Sequence, residues 1–187
     1  DIIWLTIPVK NSGRYMQKIN EVEIDKSSGW RKTHLKTLFL NYKKARFFDQ
    51  YFPQIETLFS REWHLLADFN IAFIKLTFES LGIKKEPLIA SEEEMHGKAT
   101  ELIVDICRKT ASDTYLHGVH SKDYVDFALL EKNGIKSLIQ EFKSPEYPQT
   151  SYPFTPNLSI IDMLFNCGKQ TLELLKKGNF IKSDWSD

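Results

Sequence analysis

Apolar residues recur along this chain at two different spacings, and the change comes near Gly82. Ahead of it the spacing is mostly helical. Trp30, His34, Leu35, Leu38 and Phe39 predict a helix from about Ser28 to Tyr42. Lys32, Lys36, Lys43, Lys44 and Arg46 make the outer side and end of that helix basic. Phe47 to Phe52 reads as an aromatic connection ending at Pro53, which suits the first turn of a short helix over Gln54–Ser60. The run from Glu62 to Leu81 is apolar around most of its circumference, which predicts a deeply packed helix closed by Gly82. Two strands precede these helices. Ile2 to Val9 is β-branched and aromatic and reads as a buried strand stopped near Pro8, while Ile19, Val22 and Ile24 suggest a short exposed one.

Beyond Gly82 strands and helices alternate. Pro87–Ala90, Thr114–Leu116 and Ile135–Phe142 read as strands, with amphipathic helices over Lys98–Thr110 and Asp123–Asn133 between them. Two strand–helix–strand units predict an α/β fold, a parallel sheet with helices on both faces, preceded by a largely helical section. Ligands of such sheets bind outside the carboxyl ends of the strands, here Ser91–Glu94, His117–His120 and Lys143–Tyr147. A charged helix over Lys169–Lys177 follows, and residues 178–187 read as a tail from which Trp185 docks back. A length of 187 residues fits one domain.

Composition narrows the function classes. Lys and Arg number 25, equal to Asp and Glu, so we expect neither nucleic acid nor a membrane surface as partner. No apolar run approaches the roughly 20 residues that span a bilayer. Thirteen Phe and seven Tyr suggest a thick aromatic core, with a sugar-binding wall as the sharper alternative. Cys107 and Cys167 lie in apolar helical contexts without a disulfide framework, which suggests the cytoplasm. Each reads as a small buried hydrophobe rather than a nucleophile.

The densest candidate chemistry lies between Ser144 and Gly168. Four of the seven prolines (Pro145, Pro148, Pro153, Pro156) fall there, so its first half cannot be regular helix or central strand. Its second half, Ile160 to Phe165, reads as a buried helix carrying the lone carboxylate of Asp162. A carboxylate between Ile161 and Met163 is costly to bury unpaired. Asp162 either accepts loop N–H groups or pairs with Lys143 or Arg108, or it orients a substrate or acts as a base. Tyr115 and Tyr124 present phenols to a sugar or pack with satisfied tips. Asn157 and Ser159 cap the helix start or frame an anion site there. Elsewhere the signals are weak. His64 and Asp68 stand four apart on one expected helix face, but no third ligand has metal spacing. Ser91 and Glu94 have the form of a capping box, which accounts for the Glu92–Glu94 run. Eight scattered glycines form no phosphate-cradling loop, and no zinc motif is present. The residues therefore name no metal and no cofactor.

The segments T-E-L-I-V-D-I-C-R-K-T-A-S-D-T-Y-L-H-G (Thr100–Gly118), K-D-Y (Lys122–Tyr124), Y-P-Q (Tyr147–Gln149) and F-T-P-N-L-S-I-I-D-M-L-F-N-C-G (Phe154–Gly168) resemble the WbqC-like family. So do W-L-T-I-P-V-K (Trp4–Lys10) and W-x-x-x-H (Trp30–His34), in the same order along nearly the whole chain. The resemblance implies a bacterial protein associated with polysaccharide, especially O-antigen, gene sets. It leads us to expect an enzyme, a transferase or ligase acting on a nucleotide-linked amino sugar by acyl or aminoacyl transfer. The alternative is a non-catalytic partner that binds a nucleotide sugar or carbohydrate, and a weaker third is an ATP-binding nucleotidyltransferase relative. The residues expected to carry the chemistry are Asp162 and Tyr115, with His117, Tyr124, Tyr147, Gln149, Phe154, Asn157 and Ser159 contacting a small-molecule substrate. Two departures stand out. The family's usual opening, a strand and helix containing His-Gln-Pro, has no counterpart before Trp4, so we expect residues ahead of Asp1. At His117 the family usually carries a small hydroxyl residue.

Overall fold

The structure is a computed structural model that describes residues 2–183. Trp185, expected to dock back, lies outside the described residues. The helices are α1 (Trp30–Tyr42), α2 (Phe48–Ser60), α3 (Leu66–Leu81), α4 (Thr100–Lys109), α5 (Phe127–Lys132), α6 (Ile160–Cys167) and α7 (Thr171–Gly178). The strands are β1 (Thr114–Gly118), β2 (Lys136–Phe142) and β3 (Asn179–Lys182). This is the mixed α/β composition expected from the apolar pattern. The described residues divide into two compact units, one of residues 2–87 and 146–172, the other of residues 88–145 and 173–183. No helix among the described residues is long and apolar enough to cross a membrane.

The first unit is helical around an aromatic core. Trp30 meets Phe59 and Phe69 edge-on at 5.6 and 5.5 Å, and Phe48 lies 5.2 Å from Phe165 of α6. Such pairs add about 0.5–1.5 kcal/mol each beyond the area they bury. α2 corrects the reading of Phe47–Phe52 as a connector: the helix already runs from Phe48 and carries Pro53 in its interior. An interior proline costs about 3 kcal/mol. Burying Phe48 and Tyr51 on the turn before it returns about 1.5–3 kcal/mol each, which outweighs that cost.

α3 starts at Leu66 and not at Glu62, because the preceding backbone is held elsewhere. Ile24 N–H donates to His64 O at 2.8 Å and Leu66 N–H to Val22 O at 2.8 Å. His64 is therefore off the helix, and the expected His64–Asp68 helical face does not form. The N-terminal run is a second correction. Residues 2–8 form no strand, and Trp4 is 87% exposed. A β-branched run becomes a strand only where a neighbour completes its ladder. Among the described residues the pairing is confined to its end, through the Val9–Ile24 bridge and bonds from Lys10 N–H to Glu23 O and from Asp25 N–H to Pro8 O.

The second unit holds a three-stranded sheet in the order β1-β2-β3. β1 and β2 are parallel, with Thr114 opposite Lys136 and Tyr115 opposite Ser137. β3 runs antiparallel to β2, Ile139 opposite Lys182. Val104, Cys107, Val125, Leu130 and Ile135 form its core. Four expectations change here. Pro87–Ala90 is not a strand, since Leu88 is 54% exposed and the run is too short to bury its side chains. No helix begins at Ser91, so the capping-box reading fails, and α4 starts only at Thr100. Residues 179–182, read as tail, instead supply β3, tied to β2 by Gln140 Nε2 donating to Asn179 Oδ1 at 2.7 Å and by Lys182–Glu141 at 3.0 Å. The expected helix over Asp123–Asn133 is shorter because Asp126 caps it, accepting from Leu129 N–H at 3.0 Å. The residues before that cap, Val119–Asp123, form a 3-10 turn.

Candidate functional site

Two groups of candidate residues emerge, one in each unit. In the first, the prolines keep residues 146–159 out of regular structure, as their chemistry requires. What orders the loop is Gln149. Its Nε2 donates to Thr155 O at 2.9 Å while its Oε1 accepts from Thr155 N–H at 2.8 Å, so the side chain pairs with the loop as a strand would. The same Nε2 lies 3.0 Å from Asp162 Oδ2. Tyr147, buried and edge-on to Phe154 at 5.3 Å, donates its phenol to Asp162 Oδ2 at 2.7 Å.

Asp162 stands in the first turn of α6, 3% exposed. Among the described residues its partners are Tyr147, Gln149 and Tyr42 of α1, not loop N–H groups, Lys143 or Arg108. Lys143 instead pairs with Glu141 at 3.6 Å, and Arg108 donates to Asn133 Oδ1 at 2.6 Å. A buried carboxylate is tolerated when donors replace the water it loses, and charge-assisted bonds of this kind are roughly twice as strong as neutral ones. Burial, and then the negative charge of Asp162, push the Tyr42 and Tyr147 phenols well above their ordinary range. Burial likewise raises the Cys167 thiol, with Asp162 adding to it, and burial raises Cys107. Both cysteines are therefore held away from the thiolate that a nucleophile needs.

Ser159 caps α6, accepting from Ile161 N–H at 3.4 Å, and Asn157 lies on the exposed approach with φ at 58°. Tyr42 was not singled out by its own environment in the sequence. It does continue the every-fourth-residue stripe of Trp30, His34 and Leu38, and its ring lies 5.1 Å from Phe165. His34 is part of the packing. It is buried, edge-on to Trp30 at 5.3 Å, and burial lowers its tendency to protonate despite a bond to the Thr6 backbone.

In the second unit β1 carries Tyr115 and His117 on one face, because side chains two apart in a strand point the same way. Their rings stack at 5.4 Å with 28° between planes, and the Phe127 ring is tilted against the imidazole at 5.2 Å. His117 Nε2 meets Ser137 Oγ at 2.5 Å, and Nδ1 faces Gly118 O at 3.1 Å. Burial, and then Tyr124 nearby, raise the Tyr115 phenol. Tyr124 is 67% exposed, its hydroxyl 3.2 Å from Ser121 Oγ. Ser137 is the residue that sequence reasoning missed. A lone serine in a strand carries no signal until the parallel register sets it opposite Tyr115 and beside His117. The candidates thus fall into two sets, Tyr147, Gln149, Phe154, Asn157, Ser159 and Asp162 in the first unit and Tyr115, His117 and Tyr124 in the second. Among the described residues no group of three or more His, Cys, Asp or Glu is placed to hold a metal ion.

The uncharacterized protein Rv1507c of Mycobacterium tuberculosis is 29% identical over 175 residues, covering 92% of this chain and 75% of its own length. No solved structure matches the chain. The description of the WbqC-like protein family matches residues 1–174, which takes in the Asp162 cluster, the His117–Ser137 pair and every motif between Trp4 and Gly168, and the chain belongs to that family.

Proposed function

We propose that this WbqC-like chain is an enzyme of surface-polysaccharide synthesis, a transferase or ligase that passes an acyl or aminoacyl group to a nucleotide-linked amino sugar. The observation that carries this reading is the loop over residues 146–159. Gln149, Tyr147 and Asp162 hold it in one course, while Tyr152 is 97% exposed and Thr150, Ser151, Asn157 and Ser159 of the same segment are exposed as well. An aromatic face beside hydroxyl and amide groups is the chemistry that recognises a sugar ring. Asp162 acts in this reading through Tyr147 and Gln149, ordering the loop that contacts substrate, and Tyr115 acts through His117. A nucleotide-linked substrate also places the reaction in the cytoplasm.

The test is incubation of the protein with amino-sugar nucleotides and acyl or aminoacyl donors, followed by mass analysis of the sugar. Transfer of one group to the amine is expected. A ligand-induced rise in melting temperature without turnover on any donor would favour the second reading, a non-catalytic nucleotide-sugar or carbohydrate binder. One observation favours that second reading: the Asp162 carboxylate is buried and already held by protein donors, leaving it little part in chemistry.

A further inference from the structure

We infer that Ser137 and His117 form a nucleophile–base pair that takes up an acyl group from an activated acyl ester or thioester. The inference rests on the transfer reading above for its acceptor, and it adds the residue that receives the donor's acyl group. Its geometry is independent of the Asp162 cluster.

Three features of the second unit lead to it. The Gly118 carbonyl can only accept, so the 3.1 Å contact puts the imidazole hydrogen on Nδ1. Nε2 is then bare and accepts the Ser137 hydroxyl at 2.5 Å. This is the tautomer a general base needs, fixed by a third group. The ring is also packed against two aromatic neighbours, stacked on Tyr115 at 5.4 Å and tilted against Phe127 at 5.2 Å, so the base is ordered before any substrate arrives. Finally, His117 is buried while Ser137 is partly exposed. The hydroxyl that must meet a substrate is the more accessible of the two.

In the acylation step Ser137 Oγ attacks the donor carbonyl carbon, forming the new C–O bond as Nε2 takes the hydroxyl proton. The bond from that carbon to the alcohol or thiol breaks, and the leaving group departs with the proton from Nε2. In the second step the amine of the acceptor, or water, attacks the acyl carbon and gives a proton to His117 Nε2; the acyl carbon–Oγ bond breaks, and Nε2 passes that proton to Ser137 Oγ, restoring the hydroxyl and the neutral imidazole. No electrons are exchanged with any other species.

The test uses p-nitrophenyl acetate with the whole chain and no sugar, so its failure is separate from failure of sugar-nucleotide turnover. Expected are a burst of p-nitrophenolate and one acetyl group on the peptide containing Ser137. Ser137→Ala abolishes that acetylation, and His117→Gln slows it by about 10²-fold. Ser137→Cys, which keeps a nucleophile at the position, takes up the acetyl as a thioester cleaved by neutral hydroxylamine. An unmodified Ser137 in the wild-type chain, or acetylation of Ser137 at the same rate in His117→Gln, would overturn the inference.

Discussion

Asp162 is where burial and charge oppose each other most directly, and the balance is set by single atoms. Oδ2 receives the Tyr147 phenol and the Gln149 amide, and each bond to a charged group contributes about 1.5–3 kcal/mol. Asp162→Asn keeps the shape but removes the charge and makes one acceptor a donor facing donors. We expect it to lower unfolding stability by about 1.5–3 kcal/mol, read by urea titration. Tyr147→Phe, which leaves Gln149 and Tyr42 on the carboxylate, should cost about 1 kcal/mol. A loss of amino-sugar turnover in Asp162→Asn with stability unchanged would give the carboxylate a direct part in chemistry. The sequence marked Asp162 as expensive to bury. It did not reveal the partners, because Tyr42 lies 120 positions away and becomes a neighbour only when α1 packs near α6.

At the scale of elements, the end of α6 depends on a position that only glycine fills. Gly168 has φ at 56°, and a Cβ there would sit 2.8 Å from the Phe47 ring. The Phe47 backbone cannot retreat easily, since its N–H donates to Phe165 O at 2.9 Å. Gly168→Ala should therefore cost about 1–3 kcal/mol in thermal or urea unfolding, with the Phe47 environment altered. The glycine ending a helix was legible in the sequence; the ring against it was not. The same division holds elsewhere. α1 and β2 appear where apolar spacing put them, to within a residue or two. Pro87–Ala90 did not become a strand and residues 179–182 did, because a strand is defined by what pairs with it and β2 had one free edge to offer β3.

For the molecule as a whole the titrating groups set the limits of stability. Tyr42 and Tyr147 are raised by burial and by Asp162. Below about pH 10, the ordinary value for a phenol, both states keep these protons and the stabilisation is fully present. Above it the unfolded chain releases protons that the folded chain retains, so stability falls as pH climbs toward the folded values. Urea midpoints across that range should drop, and Tyr147→Phe should flatten the drop. On the acid side Glu23 is held down to about 2 by hydrogen bonds from Lys10 and Arg14 at 2.7 and 2.8 Å. Its contribution is present above the ordinary value of 4.5 and is lost as pH falls through about 2. Because these groups face solvent, that acid slope should shrink in high salt, which screens exposed pairs.

The amino-acid sequence by itself determined the α/β composition, the positions of most helices, the absence of regular structure in the proline-rich loop, and the motifs that place the chain in the WbqC-like family. These depend on local periodicity and on side chains that restrict their own backbone. Only the tertiary structure decided which strands exist, what satisfies Asp162, and that Ser137 meets His117. Each of those is a contact between residues far apart in sequence, and the free energy that selects it comes from burial and pairing that no local window contains.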